Sequence, residues 1–135
     1  MVRVVPSAPN YRVGDTVVIE VRIENGTNVG SVPFHLRYSG QTIQFVEPAT
    51  EGPLLGSDGT GTLFLARDSS GGELVVGLSR MGGGSGITGS GTLATFSFRA
   101  LAKGRTVFQF TGASVKDPQA RNLPASFLGA TIGID

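Results

Sequence analysis

Between Thr16 and Glu24 the chain runs in a two-residue period: Val17, Ile19, Val21 and Ile23 alternate with a mostly polar set, Thr16, Glu20, Arg22 and Glu24. That period places the two sets on opposite faces of an extended strand, so the segment reads as a β-strand with one buried side. The same pattern returns at Thr92–Ala100, where Ala94, Phe96 and Phe98 fall together. Each run follows a turn signal, Val13-Gly14-Asp15 in the first case and Gly91 in the second, and such pairing of turn and alternation marks a half-buried strand. A chain with two such strands must supply a sheet and something to cover it.

The remaining residues extend the pattern to about eight or nine strands and no helix. Val2–Val5 opens the series and is ended by Pro6 and Pro9. Asn25-Gly26 predicts a chain reversal after Glu24. Val32–Tyr38 directs Phe34, Leu36 and Tyr38 inward and Pro33, His35 and Arg37 outward. Proline cannot donate to a ladder, so Pro33 predicts an edge position or a bulge. Ile43–Val46 is short, and a loop is expected over 47–61. Leu63–Ala66 and Leu74–Ser79 read as a hairpin across Asp68–Gly72, and a glycine-rich loop is expected over 82–91. Thr106–Thr111 turns Phe108 and Phe110 inward, and Ala130, Ile132 and Ile134 close the chain in alternation. With 21 glycines in 135 residues, long helices are disfavoured and tight turns between short strands are favoured. No second core or internal repeat stands out, so the expectation is one antiparallel sandwich or barrel spanning residues 1–135.

The same residues narrow the chemistry. Eleven basic and ten acidic side chains give a net charge of +1, with no basic stripe for nucleic acid or an anionic membrane. There is no cysteine, which removes disulfides, thiolate zinc sites and a cysteine nucleophile. No apolar run approaches the roughly 18 residues of a membrane span. Gly84-Ser85-Gly86-Ile87-Thr88-Gly89 spells G-x-G-x-x-G, but a dinucleotide site needs a helix after that loop and a strand follows instead. His35 is the single histidine, and no serine elbow or carboxylate converges on it in the sequence. Glu20/Glu24 and Glu47/Glu51 read as solvated charges rather than a glycosidase pair. Asp58-Gly59 and Asp68-Ser69-Ser70-Gly71 are fragments without the spacing of a calcium loop. With no tryptophan and only Tyr11 and Tyr38, a sugar-stacking platform is disfavoured. Asn25-Gly26-Thr27 matches a glycosylation acceptor and is equally explained as a turn. The expectation is therefore no catalysis, no cofactor and no metal.

Taken in order, these segments resemble a cohesin domain, the module that binds dockerin domains in cellulosomes. The likeness runs through Val13-Gly14-Asp15-Thr16 with its alternating aliphatics, where Val13 replaces the family's proline. It continues through Phe34-His35-Leu36-Arg37-Tyr38 and Ile43-Gln44-Phe45-Val46, with Ser39-Gly40-Gln41-Thr42 in place of the usual Asp-Pro turn. It ends with Glu73–Leu78, Ile87-Thr88, Gly91–Phe98 and Phe127–Ile132. The resemblance implies a nine-stranded antiparallel β-sandwich with jelly-roll topology, here a single domain cut from a larger secreted or surface protein. It implies an extracellular or cell-surface location, including a secretion-associated one.

It also implies a non-catalytic protein-protein interaction module that docks a partner, such as a dockerin-type domain, on one sheet face. That face includes the strands equivalent to Val32–Tyr38 and Leu74–Arg80, so the implied contacts are Ser31, Pro33, His35, Arg37, Ser79, Arg80 and Met81. Cellulosomal members carry Asn-x-Asp ahead of the phenylalanine, where this chain has Ser31 and Pro33. They carry an acidic residue near the position of Arg80 or Met81. With those acceptors absent, His35, Arg37 and Arg80 would make the patch mildly basic and favour an acidic partner. The alternatives are a structural domain of a secretion or surface assembly and, more remotely, a carbohydrate-binding module.

Overall fold

The computed structural model describes every residue except Ser70 and Gly83, and the described residues form strands and turns with no helix. The parts of the expected turns that fall on Ser70 and Gly83 lie outside the described residues. In chain order the strands are β1 (Val2–Pro6), β2 (Asn10–Tyr11), β3 (Thr16–Val29), β4 (Phe34–Arg37), β5 (Ile43–Glu51), β6 (Thr62–Asp68) and β7 (Glu73–Arg80). Then come β8 (Ile87–Ala100), β9 (Gly104–Thr111), β10 (Val115–Lys116), β11 (Asn122–Leu123), β12 (Phe127–Leu128) and β13 (Ala130–Ile134). Nine of these have four or more residues, and the other four are two-residue pieces. One sheet has the order β12-β1-β3-β8-β5 and the other β2-β13-β9-β4-β7-β6, while β10 and β11 form a small ribbon. The long strands pair antiparallel; the two-residue β12 and β2 pair parallel to β1 and β13. The result is the expected all-β jelly-roll sandwich with short additions.

The inward set of each strand builds one core. Val17, Ile19, Val21 and Ile23 of β3 are buried, as are Ala94, Phe96 and Phe98 of β8. Across the layer they meet Phe34 and Leu36 of β4, Phe108 of β9 and Ile132 of β13. Phe96 stands edge-on to Phe34 at 6.4 Å between ring centroids, and Phe98 lies 5.6 Å from Phe108. Such edge-to-face and tilted contacts add to the burial of the rings themselves.

Several local expectations are corrected. Asn25-Gly26 does not reverse the chain, because β3 continues through it to Val29. Ile23 faces Gly91, Gly26 faces Gly89 and Val29 faces Ile87, so β3 carries one extra residue in each interval. Asn25 (φ 56°) and Asn28 (φ 52°) absorb the surplus in the left-handed region, which asparagine tolerates better than most residues. The Asn25 N–H donates to Ser90 Oγ and the Asn28 N–H to Thr88 Oγ1, while Asn28 Oδ1 accepts from the Gly86 N–H. Residues suited to a turn thus become two bulges, because β8 satisfies their backbone groups from the side.

That pairing also corrects the loop expected over 82–91, since β8 already begins at Ile87. Half of the G-x-G-x-x-G run therefore lies in a strand. The loop expected over 47–61 is likewise shortened, because β5 runs to Glu51. Pro33 is not at a sheet edge: β4 lies between β7 and β9, and Pro33 sits in a gap of the ladder just before it. There its carbonyl accepts from the Ser114 N–H, and no proline donor is required.

Phe96→Ala removes the ring that touches both Phe34 and Phe45. It is expected to cost about 3–5 kcal/mol in urea unfolding. An exposed replacement such as Gln109→Ala should change the midpoint little by the same measurement.

Candidate functional site

The outward residues of β6, β7, β4 and β9 share one open face, and the register says which are neighbours. Leu63 faces Ser79, which is bridged to Ser31, and Leu65 faces Gly77. Next, Arg67 faces Val75, Val75 faces His35, and His35 faces Thr111. In the following row Arg37 lies between Glu73 and Gln109. Directly opposed side chains of an antiparallel ladder point to the same side, so these rows form a continuous surface. It is apolar at the Leu63/Leu65 corner, where the two side chains are 61% and 63% exposed. It becomes basic toward Arg67, His35 and Arg37. Gly77, opposite Leu65, carries no side chain, and nothing lies within contact distance of the position a Cβ would take.

Six of the seven residues expected from the sequence lie on or beside this face. Ser31 and Ser79 are joined by a bridge, Pro33 precedes β4, and His35 and Arg37 project from it. Met81 is 59% exposed just past the end of β7. His35 Nδ1 lies 3.7 Å from Glu73 Oε2, its one ionic neighbour among the described residues.

Arg80 is placed differently. Its side chain is only 8% exposed and forms a two-pronged pair with Asp58, with Nη1 and Nη2 at 3.0 and 2.9 Å from the two carboxylate oxygens. The same guanidinium donates to the carbonyls of Leu55 and Ser85 and to Thr60 Oγ1. A planar fork with five donors suits such a junction. Arg80 therefore fastens the 52–61 loop, whose Leu55 is buried, to the 84–86 segment. The charge that the sequence suggested for the face is spent inside. The Arg80 bonds, aided by the Thr60 N–H, hold the Asp58 carboxyl far below the usual carboxylate range, which is the effect expected of charge-assisted bonds.

Leu63, Leu65 and Arg67 belong to the face but were not among the sequence-derived contacts. Leu63, Phe64, Leu65 and Ala66 are all apolar, so alternation is silent about which side of β6 is inward. Burial of Phe64 and Ala66 against the core decides it.

Several of the other polar residues singled out in the sequence make local bonds. Glu24 pairs with Arg3 and Arg22, and Glu20 with Arg22 and Thr92. Glu51 accepts the Thr62 hydroxyl. Asp58 is engaged by Arg80, and Asp68 Oδ1 accepts from the Gly71 N–H. Among the described residues no three acidic or histidine side chains cluster as metal ligands would. Tyr38 is buried against Phe98 at 5.0 Å, and Tyr11 is buried with its hydroxyl at Ser7 Oγ and the Ala8 N–H. Neither ring offers a stacking surface.

A jelly-roll sandwich with one open, mixed apolar and charged sheet face, and with most of its carboxylates tied into ion pairs and local hydrogen bonds, belongs to the class of β-sandwich interaction modules. Within that class the chain is a member of the cohesin family: the cohesin-domain model matches residues 2–126. A non-cellulosomal cohesin from the hyperthermophilic archaeon Archaeoglobus fulgidus has the same fold, with a TM-score of 0.80 at 21% identity over 99% of this chain and 91% of that one. A type II cohesin domain from the cellulosome of Acetivibrio cellulolyticus gives 0.82 at 17% identity over 97% and 93%. A type I cohesin-dockerin complex from Clostridium thermocellum, Coh-OlpC with Doc435, gives 0.79 at 17% identity over 100% and 94%. At these identities the likeness establishes the fold. No curated protein matches the sequence.

The Asp58 pair has a testable pH signature. A carboxyl depressed on folding adds stability that is complete above its unfolded value of about 3.9 and fades as pH falls toward the folded value. Asp117, lowered chiefly by the Arg121 backbone N–H, has the same sign. Denaturant midpoints of the native protein should therefore fall between about pH 5 and pH 2. Asp58→Asn should be less stable at neutral pH and lose a smaller part of its midpoint over that interval. Equal slopes for the two proteins would show that the pair contributes nothing.

Proposed function

We propose that this cohesin-family domain docks a protein partner of the dockerin type on the outer face of β6, β7, β4 and β9. The domain would work as a non-catalytic module of an extracellular or cell-surface protein. The observation that carries the reading is the pair of exposed leucines, Leu63 and Leu65, on a flat face that also contains His35, Arg37, Ser31 and Ser79. Adjacent exposed large apolar side chains on an otherwise polar sheet mark an interaction surface. They would form the apolar centre of a contact with a charged rim. A stable complex would cover roughly 800 Å² of this side, and the paired strands beneath leave little backbone rearrangement to be expected. In support, solved relatives with this fold include cohesins in complex with dockerins.

The test is binding of dockerin domains encoded in the source genome, measured by calorimetry. Leu63→Asp/Leu65→Asp should weaken the complex by about thirtyfold or more with an unchanged melting temperature. Affinity within about twofold of native for that variant would remove this face from consideration.

A further inference from the structure

We infer that the partner surface of this domain is acidic, with carboxylates set about one helical i,i+7 spacing apart beside an apolar corner; the inference rests on the docking face proposed above. The two sheets treat their outward charges differently. On the β12-β1-β3-β8-β5 sheet, Arg3 and Arg22 are paired with Glu24 and Glu20, and Arg99 alone lies toward the end of β8 without an ionic partner among the described residues. That face is largely neutralised by its own side chains, and exposed pairs of this kind serve solvation more than recognition.

The outward positions of β6, β7, β4 and β9 carry Arg37, Arg67 and Arg105 against one carboxylate, Glu73, which lies directly opposite Arg37. None of the three arginines has an ionic partner among the described residues, and Glu73 is already beside His35. Arg80, the arginine that could have been counted with them, is consumed by Asp58. Unpaired guanidinium groups on an open sheet are ready to bind carboxylates bidentately and to select the sign of what approaches.

The spacing is informative as well. Arg67 and His35 lie in one row with Val75 between them, which puts them about 10 Å apart at the usual strand separation. Arg37 is two residues further along β4, about 7 Å beyond His35. Arg67 and Arg37 are therefore about 12 Å apart across the diagonal, and residues i and i+7 of an α-helix are about 10.5 Å apart, a difference that two long arginine side chains span, so one helix face can present two carboxylates to this arginine group. Leu65 is two residues from Arg67 on β6, about 7 Å away, close to one i,i+4 step. An amphipathic helical surface with leucine-like side chains over Leu63 and Leu65 and carboxylates over Arg67 and Arg37 satisfies both ends. A basic partner would meet like charge at three positions, a mismatch that opposes association.

The probes are two helical peptides with identical leucines, one with glutamate and the other with lysine at the i,i+7 positions, titrated into the isotopically labelled domain. The glutamate peptide should shift the amide resonances of His35, Arg37, Arg67 and Val75. Its binding should weaken severalfold between about 50 and 200 mM salt, and the lysine peptide should bind weakly or not at all. Arg37→Glu/Arg67→Glu, with its fold verified by an unchanged melting temperature, should reverse the preference. Equal binding of both peptides, no binding of either, or retention of the glutamate preference in that variant would overturn the inference. If Leu63→Asp/Leu65→Asp abolishes binding of both peptides while their sign makes no difference, the face stands and its polarity is wrong. If the perturbed amides lie on β3 and β8, the face itself is wrong.

Discussion

The aromatic seam between the two sheets is the interaction on which the rest of this domain depends. Phe96 and Phe98 project from β8 and meet Phe34 from β4, Phe108 from β9 and Phe45 from β5. Rings of this size dominate the burial of a small core, and here they also set the orientation of both layers. β8 is held along its length by β3 on one side and β5 on the other. β4, carrying Phe34 and Leu36 inward, must then present His35 and Arg37 outward. The flat face opposite the seam is a consequence of how the seam is filled.

Arg80 shows how a charge is diverted from a surface to a joint. A half-buried loop, 52–61, crosses the end of the sandwich and inserts Leu55 into the core. The Leu55 carbonyl and Asp58 need donors, and the last residue of β7 supplies them from one guanidinium. That end of the candidate face is thereby closed and tied down. The basic character of that face shifts to Arg37 and Arg67, which lie at the other end of the strands. This separation of an apolar corner from a basic one gives the face a direction.

Much of the fold was legible because the two-residue period is unambiguous wherever polar and apolar residues alternate strictly, as in Thr16–Glu24 and Thr92–Ala100. The inward positions of Phe34, Leu36, Ala94, Phe96, Phe98 and Phe108 follow directly from it. Where both parities are apolar, as in Leu63–Ala66, the period carries no information, and half of the candidate face was hidden for that reason. Asn25-Gly26 misled for a different reason. Its preference for positive φ is real, but a turn and a bulge use the same backbone region, and only the presence of β8 alongside distinguishes them.

By itself the sequence determined an all-β sandwich or barrel, its core and the strands that flank the candidate face, because burial and period are local properties that each strand carries in its own residues. The resemblance to cohesins was likewise contained in the order of those strands. Tertiary structure alone decided that β6 turns Leu63 and Leu65 outward, that β3 bulges rather than reverses, and that Arg80 is spent on Asp58 while Arg37 and Arg67 stay unpaired among the described residues. These depend on which groups meet across distant stretches of chain, as Arg80 meets Asp58 and Leu55, 22 and 25 positions away, and Asn25 meets Ser90, 65 positions away. The energy of a charge is set by its neighbours in space rather than by its neighbours in sequence.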